Sequence, residues 1–174
     1  MDFKIVPGIT SKQVRQLLKY SKTDSQIKKY TSDSIRFKNM ESFIRWKRKE
    51  RMIYSLVNKK GDLLGIIWFG KEKIPAKKFI LTIIKKEFRI TFAIRIYSKI
   101  RSKGKAISFM NKAYELFTKS QEFKLIKNKR IWLEVSIDNL PALKLYDKFG
   151  FVKVTYPDKK GKVFMALTDS KSVP

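Results

Sequence analysis

The alternation of apolar and polar positions divides the chain into short strands and amphipathic helices. Phe3-Lys4-Ile5-Val6 alternates and predicts an edge strand, closed by Pro7-Gly8. Thr10 or Ser11 then caps a helix to about Tyr20, with Val14, Leu17 and Leu18 at helical spacing. Residues 24–30 are short and polar and read as a helical turn, and 31–38 read as loop. Asn39 caps a further helix, with Met40, Phe43, Ile44 and Lys47 on one stripe and basic residues elsewhere. Two apolar runs, 52–58 and 63–70, are joined by Lys59-Lys60-Gly61-Asp62 and predict a β-hairpin. Gly65 inside its second arm marks a bulge.

Residues 71–78 are charged, contain Pro75 and read as loop; 79–84 read as a strand or an insertion, interrupted by Lys85-Lys86-Glu87. Ile90 to Tyr97, ITFAIRIY, is a stronger strand, and Lys99 to Lys105 a basic loop. A long helix follows from Ala106 to about Gln121, with Ala106, Phe109, Met110, Ala113, Leu116 and Phe117 on its buried side. Ile131 to Val135 reads as a buried strand. Asp138-Asn139 offers a helix cap, Pro141 sits in the first turn, and Ala142, Leu145, Tyr146 and Phe149 form one helical face. Gly150 stops that helix. A last hairpin has arms at 152–156 and 163–167, a turn at 157–162, and a frayed tail at 170–174. With no internal repeat and no linker, this order predicts one α/β (α+β) domain over residues 1–174, a mixed sheet with helices on both faces.

Composition narrows the chemistry. At 174 residues, 43% hydrophobic and 13% aromatic, the chain can bury a core. It has neither Cys nor His, so disulfides, thiolate metal sites and the commonest general base are excluded. Catalysis falls to carboxylates, Tyr, Lys, Ser or backbone groups, with no metal expected. No stretch approaches the roughly 20 apolar residues of a membrane helix, and MDFKIVPGITSKQ carries only a short apolar run. A soluble, cytoplasmic protein is the expectation. The net charge of +26 gives a field that attracts phosphates, nucleic acid or anionic membrane. The Lys and Arg residues are dispersed, so a compositional bias spread over a solvated surface is the alternative.

Two places carry candidate chemistry. Arg101, Gly104 and Ala106 form an R-x-x-G-x-A pattern just before a helix, with Lys99, Lys103 and Lys105 around it. A helix N-terminus offers unpaired N–H groups to a phosphate, and glycine allows close backbone approach. An ordinary basic loop explains the same residues. The second place holds Glu134, Asn139 and Tyr146. Tyr146 also reads as a core aromatic, Asn139 as an N-cap and Glu134 as an outward strand residue, although a carboxylate in the apolar run around it needs a reason.

Together, R-S-K-G-K-A at Arg101 to Ala106 and N-L-P-A-L-K-L-Y-D-K-F-G-F at Asn139 to Phe151 resemble the GNAT superfamily of acetyl-CoA-dependent N-acetyltransferases. The resemblance covers about Met52 to Leu167 and is poor before that. It implies a mostly antiparallel sheet of the acyl-CoA N-acyltransferase fold. It implies a coenzyme A pyrophosphate held by backbone N–H groups across Arg101, Ser102, Lys103, Gly104, Lys105 and Ala106. The pantetheine arm would lie at the Ile94 to Ile96 end of its strand, between that strand and the one at 131–135, with Asn139 bonding the arm or ordering the cleft. Tyr146 would protonate the leaving thiolate. The spacing of Glu134 and Tyr146 is similar to the base and acid pair of bacterial ribosomal-protein N-terminal acetyltransferases. Glu134 would then deprotonate the attacking ammonium through a water. That subgroup usually has Arg where Ser136 stands, and residues 71–88 diverge from it.

The partners implied are acetyl-CoA and a primary amine, with no membrane and a monomer or homodimer as the working form. The charge disfavours a polyamine acceptor and favours one carrying phosphate. A nucleic-acid- or ribosome-binding module on the same scaffold is the alternative, with Arg45, Lys47, Arg48, Lys49 and Arg51 as its contacts.

Overall fold

The structure, a computed structural model, describes residues 3–75, 88–126 and 129–167. The expected strand or insertion at 79–84 and the expected tail at 170–174 lie outside the described residues. Seven strands are joined in the order β1-β2-β3-β4-β5-β7-β6, a mostly antiparallel sheet in which β4 and β5 run parallel. These are β1 (Phe3–Pro7), β2 (Arg51–Asn58), β3 (Leu63–Lys71), β4 (Phe88–Ile96), β5 (Arg130–Ser136), β6 (Phe151–Lys153) and β7 (Lys162–Leu167). The contacts divide the chain into two compact units, one of residues 1–70 and 93–116, the other of 71–92 and 117–174.

The first unit holds α1 (Ser11–Thr23), α2 (Ser25–Tyr30), α3 (Asp33–Arg36), α4 (Met40–Lys47) and most of α5 (Lys105–Thr118). Thr10 caps α1 through a reciprocal capping box with Gln13, and the Asn39 side chain caps α4 at Ser42 N. The helix α3 occupies the stretch expected as loop. Its start is fixed by a hydrogen bond from Asp33 N to the Thr31 hydroxyl, at 3.1 Å, which apolar periodicity does not register. The core gathers Leu17, Phe37, Trp46, Ile66, Trp68 and Tyr97 with others around them. Phe37, Trp46 and Trp68 meet edge to face, with ring centroids 4.9 to 6.2 Å apart.

The hairpin β2–β3 forms as the pattern predicts, with a register shift where Leu56 pairs with Gly65 and Val57 with Leu63. A Cβ on Gly65 would lie 2.9 Å from the Arg95 carbonyl oxygen, so the bulge also lets two backbones approach closely.

The second unit holds the start of β4, α6 (Gln121–Lys124), β5, α7 (Leu140–Phe149), β6 and β7. The parallel register runs from Phe88 opposite Arg130 to Thr91 opposite Trp132. Asn139 caps α7 by accepting from Ala142 N at 3.3 Å, and Gly150 ends it at φ 108. The expected arm at 152–156 is shorter as a strand, Phe151–Lys153. Beyond it the Thr155 hydroxyl accepts from Phe164 N at 2.9 Å, a side chain standing where a ladder carbonyl would. Trp132 donates from Nε1 to the Glu72 carbonyl at 2.8 Å, fixing the segment after β3.

Candidate functional site

In the first unit, β4 ends in a tight turn. The Tyr97 carbonyl accepts from Ile100 N and Arg101 N at 3.0 and 3.1 Å, and the Ile100 carbonyl from Lys103 N at 3.3 Å. Ser102 and Gly104 both take left-handed backbone, φ 64 and 67, with Lys103 between them, directly before α5. Left-handed residues among right-handed ones turn N–H groups toward a concavity that suits an anion; here the Arg101 and Lys103 N–H groups are bonded within the turn, and among the described residues no such bond ties those of Ser102 and Gly104. A Cβ on Gly104 would meet nothing within 4 Å, so that face of the backbone is open to a bulky group. Ser102, Lys103, Gly104 and Lys105 are exposed and Ala106 half-buried. The Lys105 ammonium stands 5.2 Å from the Phe3 ring centroid. The turn thus sets a helix N-terminus among exposed ammonium groups, an arrangement that attracts an anion.

Arg101 behaves differently from its neighbours. Its Nη2 donates to both Asp24 carboxylate oxygens, at 2.8 and 2.6 Å, and to the Ile96 carbonyl at 3.0 Å. Asp24 in turn caps α2, accepting from Gln26 N and Ile27 N at 3.1 and 3.2 Å. Ile94 is buried and Ile96 half-buried; the Ile94 carbonyl accepts from Arg95 Nη1 at 2.9 Å.

Sequence reasoning passed over the acids of this unit. Asp33 is buried and paired with Arg36 and Arg95, each at 2.6 Å. Burial alone would raise the Asp33 carboxyl, but Arg95 and then Arg36 outweigh it and hold it below the usual carboxylate range. Tyr97 is fully buried, 4.5 Å from the Tyr20 ring, and burial together with the nearby Asp33 charge pushes its phenol well above 10. The only signal in the sequence was an Asp on either side of a short polar stretch, which reads as capping.

In the second unit, Tyr146 is buried on α7, edge-on to Phe92 and Phe151 at centroid distances of 6.3 and 5.8 Å. Glu134 is the exposed position in an otherwise buried run of β5, opposite Phe164 on β7. Its Oε1 accepts from the Lys162 ammonium at 2.8 Å, the diagonal neighbour across the pair. Asn139 is occupied as a cap through its oxygen.

The basic residues of α4 and the turn after it, Arg45, Lys47, Arg48 and Lys49, are exposed, with Arg45 3.7 Å from Glu41. Among the described residues no helix is long and apolar enough to cross a membrane, and no cluster of three or more acids could hold a metal ion.

No protein-family model matches the sequence, and no curated protein matches it either. Solved structures do. The spermidine N-acetyltransferase of Vibrio cholerae, in complex with CoA and spermine, is similar over 94% of this chain and 92% of its own, at 15% identity and a TM-score of 0.65. An acetyltransferase of the GNAT family from Streptococcus pneumoniae is similar over 95% and 97%, at 16% identity and a TM-score of 0.63. A provisionally named acetyltransferase of Acinetobacter baylyi ADP1 is similar over 99% and 96%, at 19% identity and a TM-score of 0.69. The fold of this chain is therefore that of the GNAT acetyltransferases.

Proposed function

We propose that this chain transfers the acetyl group of acetyl-CoA to a primary amine. The reading is carried by the turn at 97–104, left-handed at Ser102 and Gly104 at the entrance to the 14-residue α5 and surrounded by exposed Lys99, Lys103 and Lys105. The shared fold supports it. Backbone N–H groups of Ser102, Gly104, Lys105 and Ala106 hold the diphosphate, those of Arg101 and Lys103 being bonded within the turn; the lysines add charge, and the strand end at Ile94 and Ile96 lines the pantetheine arm. In the second unit, Asn139 serves the cofactor through the amide nitrogen its cap does not use.

Bound acetyl-CoA supplies a thioester whose carbonyl carbon the amine attacks, with the carbon–sulfur bond breaking. Glu134 takes the proton from the substrate ammonium, directly or through one water, and so frees the lone pair. Its present partner is itself an ammonium, that of Lys162, in an exposed pair worth under about 1 kcal/mol and easily exchanged. Tyr146 gives a proton to the departing sulfur, and the second proton that the nitrogen sheds on becoming an amide restores the phenol. A phenol of pKa about 10 beside a thiolate of about 8.5 is a competent donor in a dry setting.

The net charge of +26 favours an acceptor amine that carries phosphate, such as an aminoacylated RNA or a nucleotide-linked amino sugar. Spermidine, the substrate named for the Vibrio cholerae protein, meets like-charge repulsion. The test has two steps. Acetyl-CoA should raise the melting temperature, since a ligand of the native state alone stabilises it. Thiol release should then be followed against polyamines, peptide N-termini, amino sugars, nucleotide-linked amino sugars and aminoacyl-tRNAs. No thermal shift at millimolar acetyl-CoA would overturn the reading. The exposed basic residues 45–49 support nucleic-acid binding as a second reading, recognised by steep salt dependence without turnover.

A further inference from the structure

We infer that Asp24 and Arg101 form a strut that holds the 97–104 turn in its anion-accepting shape, and that Arg101 is a positioning residue there, while the charge met by the ligand comes from Lys99, Lys103 and Lys105. The inference deepens the acetyl-CoA reading and rests on it for the identity of the ligand.

The geometry of one nitrogen carries it. Nη2 of Arg101 is spent on three protein acceptors, two on Asp24 and one on the carbonyl of Ile96. The partner carboxylate is 4% exposed and anchored by two backbone N–H groups of α2. A carboxylate held on three sides cannot follow a mobile guanidinium, so the arginine must come to it. The Arg101 backbone is fixed at the same time, its N–H bonded to the Tyr97 carbonyl. Side chain and main chain of one residue therefore bind the turn to the end of β4 and to the start of α2. The residue that follows, Ser102, takes φ 64, a conformation that non-glycine residues rarely adopt and that surrounding structure must hold. The paired carboxylate also neutralises the guanidinium locally, which leaves Arg101 a poorer phosphate ligand than the exposed lysines beside it.

The test compares Arg101→Gln, Asp24→Asn and Lys103→Ala with the parent protein, reading CoA affinity by calorimetry at several salt concentrations and amide hydrogen exchange without ligand. Arg101→Gln should weaken CoA about tenfold and speed exchange at the Ile100, Arg101 and Lys103 amides, with the salt dependence of binding unchanged. Asp24→Asn, which keeps an oxygen for the α2 cap, should do the same more mildly. Lys103→Ala should lower the salt dependence, because it removes a charge from the ligand's surroundings, and leave exchange as it was. Reduced salt dependence in Arg101→Gln with unaltered exchange makes Arg101 a direct ligand and overturns the strut; so does unchanged affinity and exchange. If the parent fails to bind millimolar CoA, the acetyl-CoA reading falls, and the exchange rates alone decide whether the strut holds the turn.

Discussion

The Asp33 carboxylate accepts two hydrogen bonds from Arg95, from Nε at 2.6 Å and from Nη2 at 3.0 Å. The side chains are 1% and 12% exposed, and the guanidinium also lies 4.7 Å from the Trp68 ring centroid. Removing one member of such a pair leaves a buried charge with reduced compensation. Arg95→Ala should cost on the order of 3 kcal/mol in urea unfolding. Arg95→Lys should recover only part of that, since an ammonium cannot reproduce the forked geometry or the stacking.

The same pair sets the acid limb of stability. Arg95 and Arg36 favour the ionised Asp33 in the folded protein, so its folded pKa lies below the unfolded one. The native state then binds fewer protons than the unfolded chain, and the contribution is complete above the unfolded value of about 3.9. It is lost as pH falls through the folded value. Unfolding free energy measured between pH 7 and 3 should decline most steeply below about pH 4, and Asp33→Asn should flatten that decline while lowering stability at neutral pH.

Tyr97 predicts the opposite limb. Its hydroxyl is buried with no hydrogen-bond partner among the described residues. Its pKa is raised by burial first and by Asp33 next. The protonated phenol is therefore favoured in the fold, and its contribution is complete below the unfolded value of about 10 and lost as pH rises toward the folded one. Tyr97→Phe should be neutral or stabilising by up to about 1 kcal/mol at pH 7. It should also remove part of the loss seen above pH 10, as followed by circular dichroism.

These charged pairs mark the limit of what local pattern conveys. The hairpin β2–β3, the caps of α1, α4 and α7, and the stop at Gly150 were legible because each depends on residues a few positions apart. Asp33 meets Arg95 across 62 residues and Asp24 meets Arg101 across 77, so nothing periodic announces them. Arg101 was legible as part of a glycine-containing turn, but its side chain's direction was not. Glu134 stood out as a carboxylate in an apolar run; the register with β7 supplies the reason, an exposed position with Lys162 on the diagonal. The α3 helix, four residues long, is too short for hydrophobic spacing to reveal.

Tyr146→Phe should lower kcat by about 10²- to 10⁴-fold with acetyl-CoA affinity kept, measured by thiol release and calorimetry. The aromatic contacts to Phe92 and Phe151 survive in this variant, so its melting temperature should hold. Retained turnover rejects the acid role.

Glu134→Gln should lose rate and change the pH profile of kcat/KM, whereas Lys162→Ala should keep the rate and leave the profile's shape intact. An unchanged rate and profile in Glu134→Gln removes the base from the mechanism.

Gly65 has a consequence for how tolerance to mutation would be distributed along the chain. Because a methyl group there would press on the Arg95 carbonyl at 2.9 Å and on the Ile96 and Phe109 side chains at 3.2 and 3.3 Å, every substitution meets backbone that cannot yield. A saturation library scored by acetyl transfer would rank Gly65 beside the proposed acid and base, Tyr146 and Glu134. Scored instead by soluble abundance, Gly65 variants would drop out while Tyr146→Phe persisted, and the difference between the two maps would separate residues that build the sheet from residues that act on a substrate.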